Sequence, residues 1–350
     1  MEYSVLLGYT WMIEDFEMVT CNPQMTNGRW SWLYVFTKFD VADWGRGTFY
    51  FLLFTFYLCG ISWGDLGLQD VRVARADVDG DGIMEVVAGG RIGRALAADV
   101  PRVARQAGVG VYRVTGGLLH PICERRDLFV VADVAGGDVD GDGVDEIVVV
   151  GMGHLIVFDV IDGQLVEMAQ MTLPGDWTDR VMVGDVDGDG RVEIGVTVYR
   201  IENGAEMGRS DVIFLQWANR RLEKRFEIGL EGHVGDLCAL TTAAGQHFVA
   251  LEVGLGDEGG DLQVLSGPSG RVFWRGEMTK GRVRALSLDA QSTNLVIGGV
   301  DGRVWTATMS TNGLSNPNAV HRFLGISGLV LMPDQLLLFS NRIGLQMLRF

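Results

Sequence analysis

The chain has 350 residues, a formal net charge of −16, 47% hydrophobic residues and four cysteines. That acidity makes nucleic acid and anionic membrane surfaces poor partners, and the length suits one large repeat domain better than two separate ones. The cysteines (Cys21, Cys59, Cys123, Cys238) are widely scattered, so no disulfide is assigned and buried free thiols are expected.

In chain order, the first segment is unlike the rest. Residues 1–63 hold five of the nine tryptophans and many Phe and Tyr. Between Arg46 and Asp65 runs an uncharged stretch, Gly-Thr-Phe-Tyr-Phe-Leu-Leu-Phe-Thr-Phe-Tyr-Leu-Cys-Gly-Ile-Ser-Trp-Gly, at the short edge of a membrane span. Gly60 and Ser62 stand at −3 and −1 of a signal-type cleavage site. Three readings of 47–63 remain: a cleaved export signal displaced from the chain start, a signal-anchor, or aromatic strands of the fold. The first two place a domain at 64–350 in an extracellular, cell-surface or periplasmic setting, with a mature start near Trp63. Any membrane contact would then run through the N-terminal anchor alone.

One short phrase is then spelled three times. It reads Asp77-Val-Asp-Gly-Asp-Gly-Ile-Met-Glu85, Asp138-Val-Asp-Gly-Asp-Gly-Val-Asp-Glu146 and Asp185-Val-Asp-Gly-Asp-Gly-Arg-Val-Glu193. Three carboxylates at alternate positions, with a fourth four residues later, repel one another unless a cation joins them. No neighbouring Lys or Arg offsets all three clusters. A hard cation such as Ca²⁺ takes 6–8 oxygens and tolerates irregular geometry. In the first copy Asp77, Asp79, Asp81 and Glu85 offer side-chain oxygens and Ile83 a carbonyl. The matching sets are Asp138, Asp140, Asp142, Val144 and Glu146, then Asp185, Asp187, Asp189, Arg191 and Glu193. The expectation is three Ca²⁺ sites, with the glycines curling the loops through positive φ. A solvated acidic turn explains a single copy more easily than three.

An EF-hand is excluded. Its twelfth position, a bidentate Glu, is here Ala88, Val149 or Val196. Each loop leads into a β-branched run that reads as a buried strand. Further strands follow around tight turns: 109–114 and 118–123 about Thr-Gly-Gly, 155–160 and 164–169 about Asp162-Gly163, and 212–217 and 222–228 about Ala218-Asn219. The beat continues without the phrase at 262–265 and 272–275, at 295–299 and 304–308, and at 336–340 and 345–350. Copies recur about every 45–60 residues with four strands each, the signature of propeller blades. The fold expected is an all-β propeller of six four-stranded blades, or seven if the N-terminal region adds more than one strand. Because the last blade lacks a fourth strand, residues before Val71 are expected to pair near 344–350.

The three phrases and their following strands resemble the FG-GAP or VCBS family of propeller repeats, the type found in integrin α-subunit heads. The resemblance covers roughly residues 70–230. It fades at Gly235-Asp236, which begins a fourth copy and continues Leu-Cys-Ala-Leu without ligands. It implies a calcium-braced propeller used mainly for binding, whose modules also occur attached to carbohydrate-active enzymes. Fold alone does not give function.

Signals for catalysis are weak. Gly254-Leu-Gly256-Asp-Glu-Gly259 matches a dinucleotide pattern by letters but is followed by a strand at 261–265 rather than a helix. The five histidines show no metal-ligand spacing. Trp217, Trp274 and Trp305 fall late in strands of successive blades and read as inter-blade packing. The insertion 91–108 carries Arg91, Arg94, Arg102 and Arg105 on an Ala-rich stretch that suits a short helix. The favoured function is a non-catalytic binding or adhesion module with a protein or glycan partner. The alternative is the propeller of a polysaccharide lyase or hydrolase.

Overall fold

The structure is a computed structural model. It describes residues 12–13, 16–17, 20–26, 29–35 and 68–349, apart from 93–106, 116–117, 129, 176, 201–207, 243, 255–259, 278–282, 289–293, 300–302, 311–312, 316–317, 323–327, 333–334 and 341–343. The signal-like stretch 47–63, the helix expected within 91–108 and most of the 254–259 pattern lie outside the described residues. The chain divides into two compact units, 1–60 and 61–350. The first contains two hairpins, β1 (Met12–Ile13) with β2 (Phe16–Glu17), and β3 (Thr20–Thr26) with β4 (Arg29–Val35).

The second unit is a β-propeller. Its first blade is β5 (Leu68–Ala76), β6 (Glu85–Ile92), β7 (Ala107–Thr115) and β8 (Leu118–Leu128), antiparallel in that order. The second is β9 (Asp133–Gly137), β10 (Glu146–Gly151), β11 (His154–Ile161) and β12 (Gln164–Thr172). The third is β13 (Trp177–Gly184), β14 (Glu193–Arg200), β15 (Arg209–Ala218) and β16 (Arg221–Glu231), and the fourth β17 (His233–Thr241), β18 (His247–Gly254), β19 (Gly260–Ser266) and β20 (Arg271–Glu277). The fifth joins β21 (Val283–Leu288), β22 (Asn294–Gly299), β23 (Arg303–Ser310) and β25 (Asn318–Arg322), with the short β24 (Gly313–Leu314) paired to the end of β23.

Among the described residues the count of four-stranded blades is therefore five, which corrects the expected six or seven. The last hairpin of the sequence period forms a three-stranded sheet, β26 (Gly328–Met332), β27 (Gln335–Ser340) and β28 (Gly344–Arg349). Its inner strand β26 lies beside β21 and β5, so the inner strands close a ring. Among the described residues β28 pairs with β27 alone, and the expected pairing with residues before Val71 is not found there. The period counted hairpins, whereas a blade needs a fourth strand that residues 328–349 do not spell.

Burial explains the strand chemistry. All six residues of β10 are buried, because sheet neighbours flank it and adjacent blades cover both faces. Its side chains alternate: Val148 and Val150 pack toward the third blade with Ile194, Val196 and Leu215, while Ile147 and Val149 pack toward the first with Val87 and Val111. The outer strand β12 has no fully buried residue. Trp217 and Trp305 lie on third strands and Trp274 on a fourth, so their positions do not correspond; each nonetheless joins a core.

Turn chemistry follows the sequence closely. Asp162 and Gly163 both have positive φ between β11 and β12, as a two-residue hairpin turn requires. The β15–β16 turn is Asn219-Arg220 rather than Ala218-Asn219, one residue later, because both its residues adopt positive φ and Asn tolerates that region. At Gly136 a Cβ would stand against the Arg75 carbonyl and Ala76, so only glycine lets β9 approach β5 this closely.

Polar clasps join the inner strands around the axis. Asp133 Oδ2 accepts the Val181 N–H of the next blade at 3.0 Å, and Asp236 Oδ2 accepts the Leu286 N–H at 2.7 Å. Asp236 thus serves the ring, where its sequence suggested a failed fourth loop. Cys123 and Cys238 are free thiols. All five histidines sit on strands.

Candidate metal-binding loops

The three phrases occupy equivalent connections, from the inner strand to the second strand of the first three blades (β5–β6, β9–β10 and β13–β14). In each loop the second residue (Val78, Val139, Val186) is buried and anchors the turn to the core. Both glycines of each copy have positive φ, from 69° at Gly80 to 92° at Gly143. The first Asp folds back over the loop: Asp138 accepts the Gly141 and Gly143 N–H groups at 2.7 and 3.1 Å, and Asp185 accepts those of Gly188 and Gly190 at 2.6 and 3.1 Å. The terminal Glu is buried and turns one oxygen inward, where Oε2 accepts the N–H of Val78, Val139 or Val186.

Carboxylate oxygens therefore converge. Asp77, Asp79 and Glu85 place one oxygen each within 4.8 Å of one another, as do Asp138, Asp140 and Glu146, and Asp185, Asp187 and Glu193. Asp81, Asp142 and Asp189 lie outside these tightest groups. Each instead accepts the N–H two residues on, from Ile83, Val144 and Arg191, at 2.8–2.9 Å. The Ile83 side chain is exposed.

The electrostatics are unfavourable without a cation. Burial pushes Glu146 up to about 8, and the charges of Asp140 and Asp142 add to this. Glu193 is pushed up to about 7, again chiefly by burial, with Asp187, Asp189 and Asp185 contributing. Asp140 is also raised, by burial and then by Asp142, Asp138 and Asp159. Burial and the neighbouring carboxylates thus both disfavour the charged forms of these groups.

What the phrases do not reveal is the residue opposite the Glu on the third strand. One step beyond the pairs Val86–Tyr112, Ile147–Phe158 and Ile194–Leu215 stand Arg113, Asp159 and Gln216. In the first loop Arg113 Nη2 lies 2.7 Å from Asp79 Oδ2, 2.7 Å from Glu85 Oε1 and 3.4 Å from Asp81 Oδ2. In the second, Asp159 adds a carboxylate, and among the described residues no Lys or Arg pairs with the cluster. In the third, Gln216 donates to Glu193 Oε1 at 3.2 Å, while Arg225 reaches Asp187 and Asp189 only at 3.5 Å. The donor sets of the second and third loops fit a hard divalent cation: oxygen only, anionic, backed by a buried Glu. The first set does not fit as it stands, since Arg113 holds three of its carboxylates.

Sequence reasoning also missed the joints between loops. Asp145 Oδ2 accepts the Asp77 N–H at 2.8 Å, and the Asp145 N–H donates to the Asp77 carbonyl at 2.9 Å, tying the first loop to the second. His247 Nδ1 lies 2.9 Å from the Asp185 carbonyl and ties the third loop to the fourth blade. Strand register could have found Arg113, but the separation from the Glu is 28 residues in the first copy and 23 in the third, which hides the equivalence.

Residues 138–196 match the family model of the FG-GAP-like repeat, a span that begins with the second loop and includes the third. Those residues are similar to that repeat, and the chain around them folds as a β-propeller. Among solved structures, one match is described as "Structure of Dos1 propeller", at 10% identity and a TM-score of 0.46, covering 79% of this chain and 66% of that chain. The chain thus spans just under two thirds of that protein's length. No curated protein matches the sequence.

Proposed function

We propose that this propeller is a non-catalytic binding or adhesion module whose acidic loops take up Ca²⁺ as a structural brace. The supporting observation is the convergence of carboxylates on a buried Glu at the same connection in successive blades, with that Glu forced toward its neutral form. Asp138, Asp140, Asp142 and Glu146 would hold one ion, with the Val144 carbonyl, and Asp185, Asp187, Asp189 and Glu193 another, with that of Arg191. Bound there, the ion would supply positive charge and oxygen coordination, nothing more. The protein's own part is to fix the first Asp by glycine N–H groups and to press the Glu inward by its bond to the buried Val N–H. An inner strand is thereby locked to its neighbour.

The FG-GAP-like repeat supports a binding module, and the partner we propose is a protein or a glycan. We place the protein outside the cytoplasm on the uncharged run after Arg46, which has the length and small-residue exit of an export signal; in an extracellular module the loops would bind Ca²⁺ with dissociation constants on the order of 10⁻⁴–10⁻³ M. Isothermal titration of chelator-stripped protein tests the metal: saturable calcium uptake with a raised melting temperature is expected, and no uptake would refute it. A glycan array and a pull-down from the native surface fraction test the partner. Turnover of any array hit would favour the enzymatic alternative. Sequencing of native material tests the setting, with a start near Trp63 or a membrane-held form expected, and a soluble cytosolic protein retaining Met1 against it.

A further inference from the structure

We propose that Arg113 is the built-in cation of the first loop, so that the chain takes up two Ca²⁺ ions although it spells the ligand phrase three times. This rests on the calcium reading above and deepens it.

Arg113 stands on β7 beside Glu85 on β6, so its side chain projects over the loop from the neighbouring strand. A single nitrogen, Nη2, meets Asp79, Asp81 and Glu85, and Nε adds a second bond to Glu85 Oε1 at 2.9 Å. Those are the oxygens an ion would need at roughly 2.3–2.6 Å. Guanidinium and metal cannot share them, since the two cations would repel at contact distance. The arginine is also attached to the chain and present at unit stoichiometry, whereas the ion must be recruited from solution.

Glu85, Glu146 and Glu193 are equally buried and make the same bond to the loop backbone. The three sites differ in what meets the other oxygen: a cation in the first, an amide in the third, and no hydrogen bond among the described residues in the second. Arg225 does not play Arg113's part in the third loop, because it touches only Asp187 and Asp189, at 3.5 Å, and not Glu193. One group escapes Arg113: Asp77 Oδ1 is buried with no partner. The first loop therefore keeps an unused ligand, and removal of the arginine should open a third site there.

Native mass spectrometry and isothermal titration of the full chain, after chelation and calcium return, decide the matter. The native protein should bind two ions. Arg113→Gln, which gives the first loop the amide that the third has in Gln216, should bind three. Arg113→Gln with Glu85→Gln should return to two, which separates a gained site from a general change in folding. Melting curves in saturating calcium show that each variant is folded. Three ions in the native protein, or two in both it and R113Q, would overturn the role given to Arg113. No calcium on any variant would overturn the calcium reading itself, a different failure.

Discussion

The clasp between the first two loops allows a quantitative test that does not depend on metal. Asp145→Ala removes the carboxylate that accepts the Asp77 N–H and leaves the reciprocal Asp145 N–H to Asp77 carbonyl bond intact. A hydrogen bond to a charged group contributes about 1.5–3 kcal/mol. Burial raises the Asp145 carboxyl and weakens its charged form, so the lower half of that range applies. The loss should be about 2 kcal/mol, which in a unit of this size lowers the melting temperature by about 3 °C. Asp145→Asn keeps an acceptor oxygen in place and should cost less than half as much. Urea unfolding in excess chelator, with melting curves as a check, removes any contribution from calcium. A loss below about 0.5 kcal/mol for D145A, or an equal loss for D145N, would show that this bond does not hold the first blade to the second.

Three further outcomes follow. Asp140→Ala should abolish one calcium site and leave the other titratable, and in native protein excess chelator should lower the melting temperature, because an ion bound only by the folded state stabilises it; an unchanged curve would mean that the loops are empty turns. In chelator, stability should fall as pH rises from about 4.5 toward 8, since folded Glu193 and Glu146 hold protons to about 7 and about 8 that the unfolded chain has already lost. Saturating calcium should flatten or reverse that slope, because the ion needs both groups ionised; parallel slopes with and without calcium would count against it. Leu155→Ala, at a fully buried position between the second and third blades, should cost about 2–5 kcal/mol by the cavity it leaves and keep calcium uptake intact, read by denaturation and titration together.

The sequence by itself determined the local chemistry. Glycines at alternate positions with carboxylates dictated turns with positive φ, and the β-branched runs after each Glu dictated strands buried on both faces. Asp162-Gly163 dictated its hairpin turn. Those features depend on neighbours within a few residues, so a linear reading reaches them. Tertiary structure alone decided the rest. Whether residues 328–349 make a full blade depends on a fourth strand from elsewhere in the chain, which hairpin counting could not supply. Which group faces the buried Glu of each acidic loop (Arg113, Asp159 or Gln216) was decided by register, each being delivered across a strand pair at a different separation in sequence. Three phrases with the same carboxylate pattern thus stand in three different fields, because charge acts through space and strand register sets which charges meet.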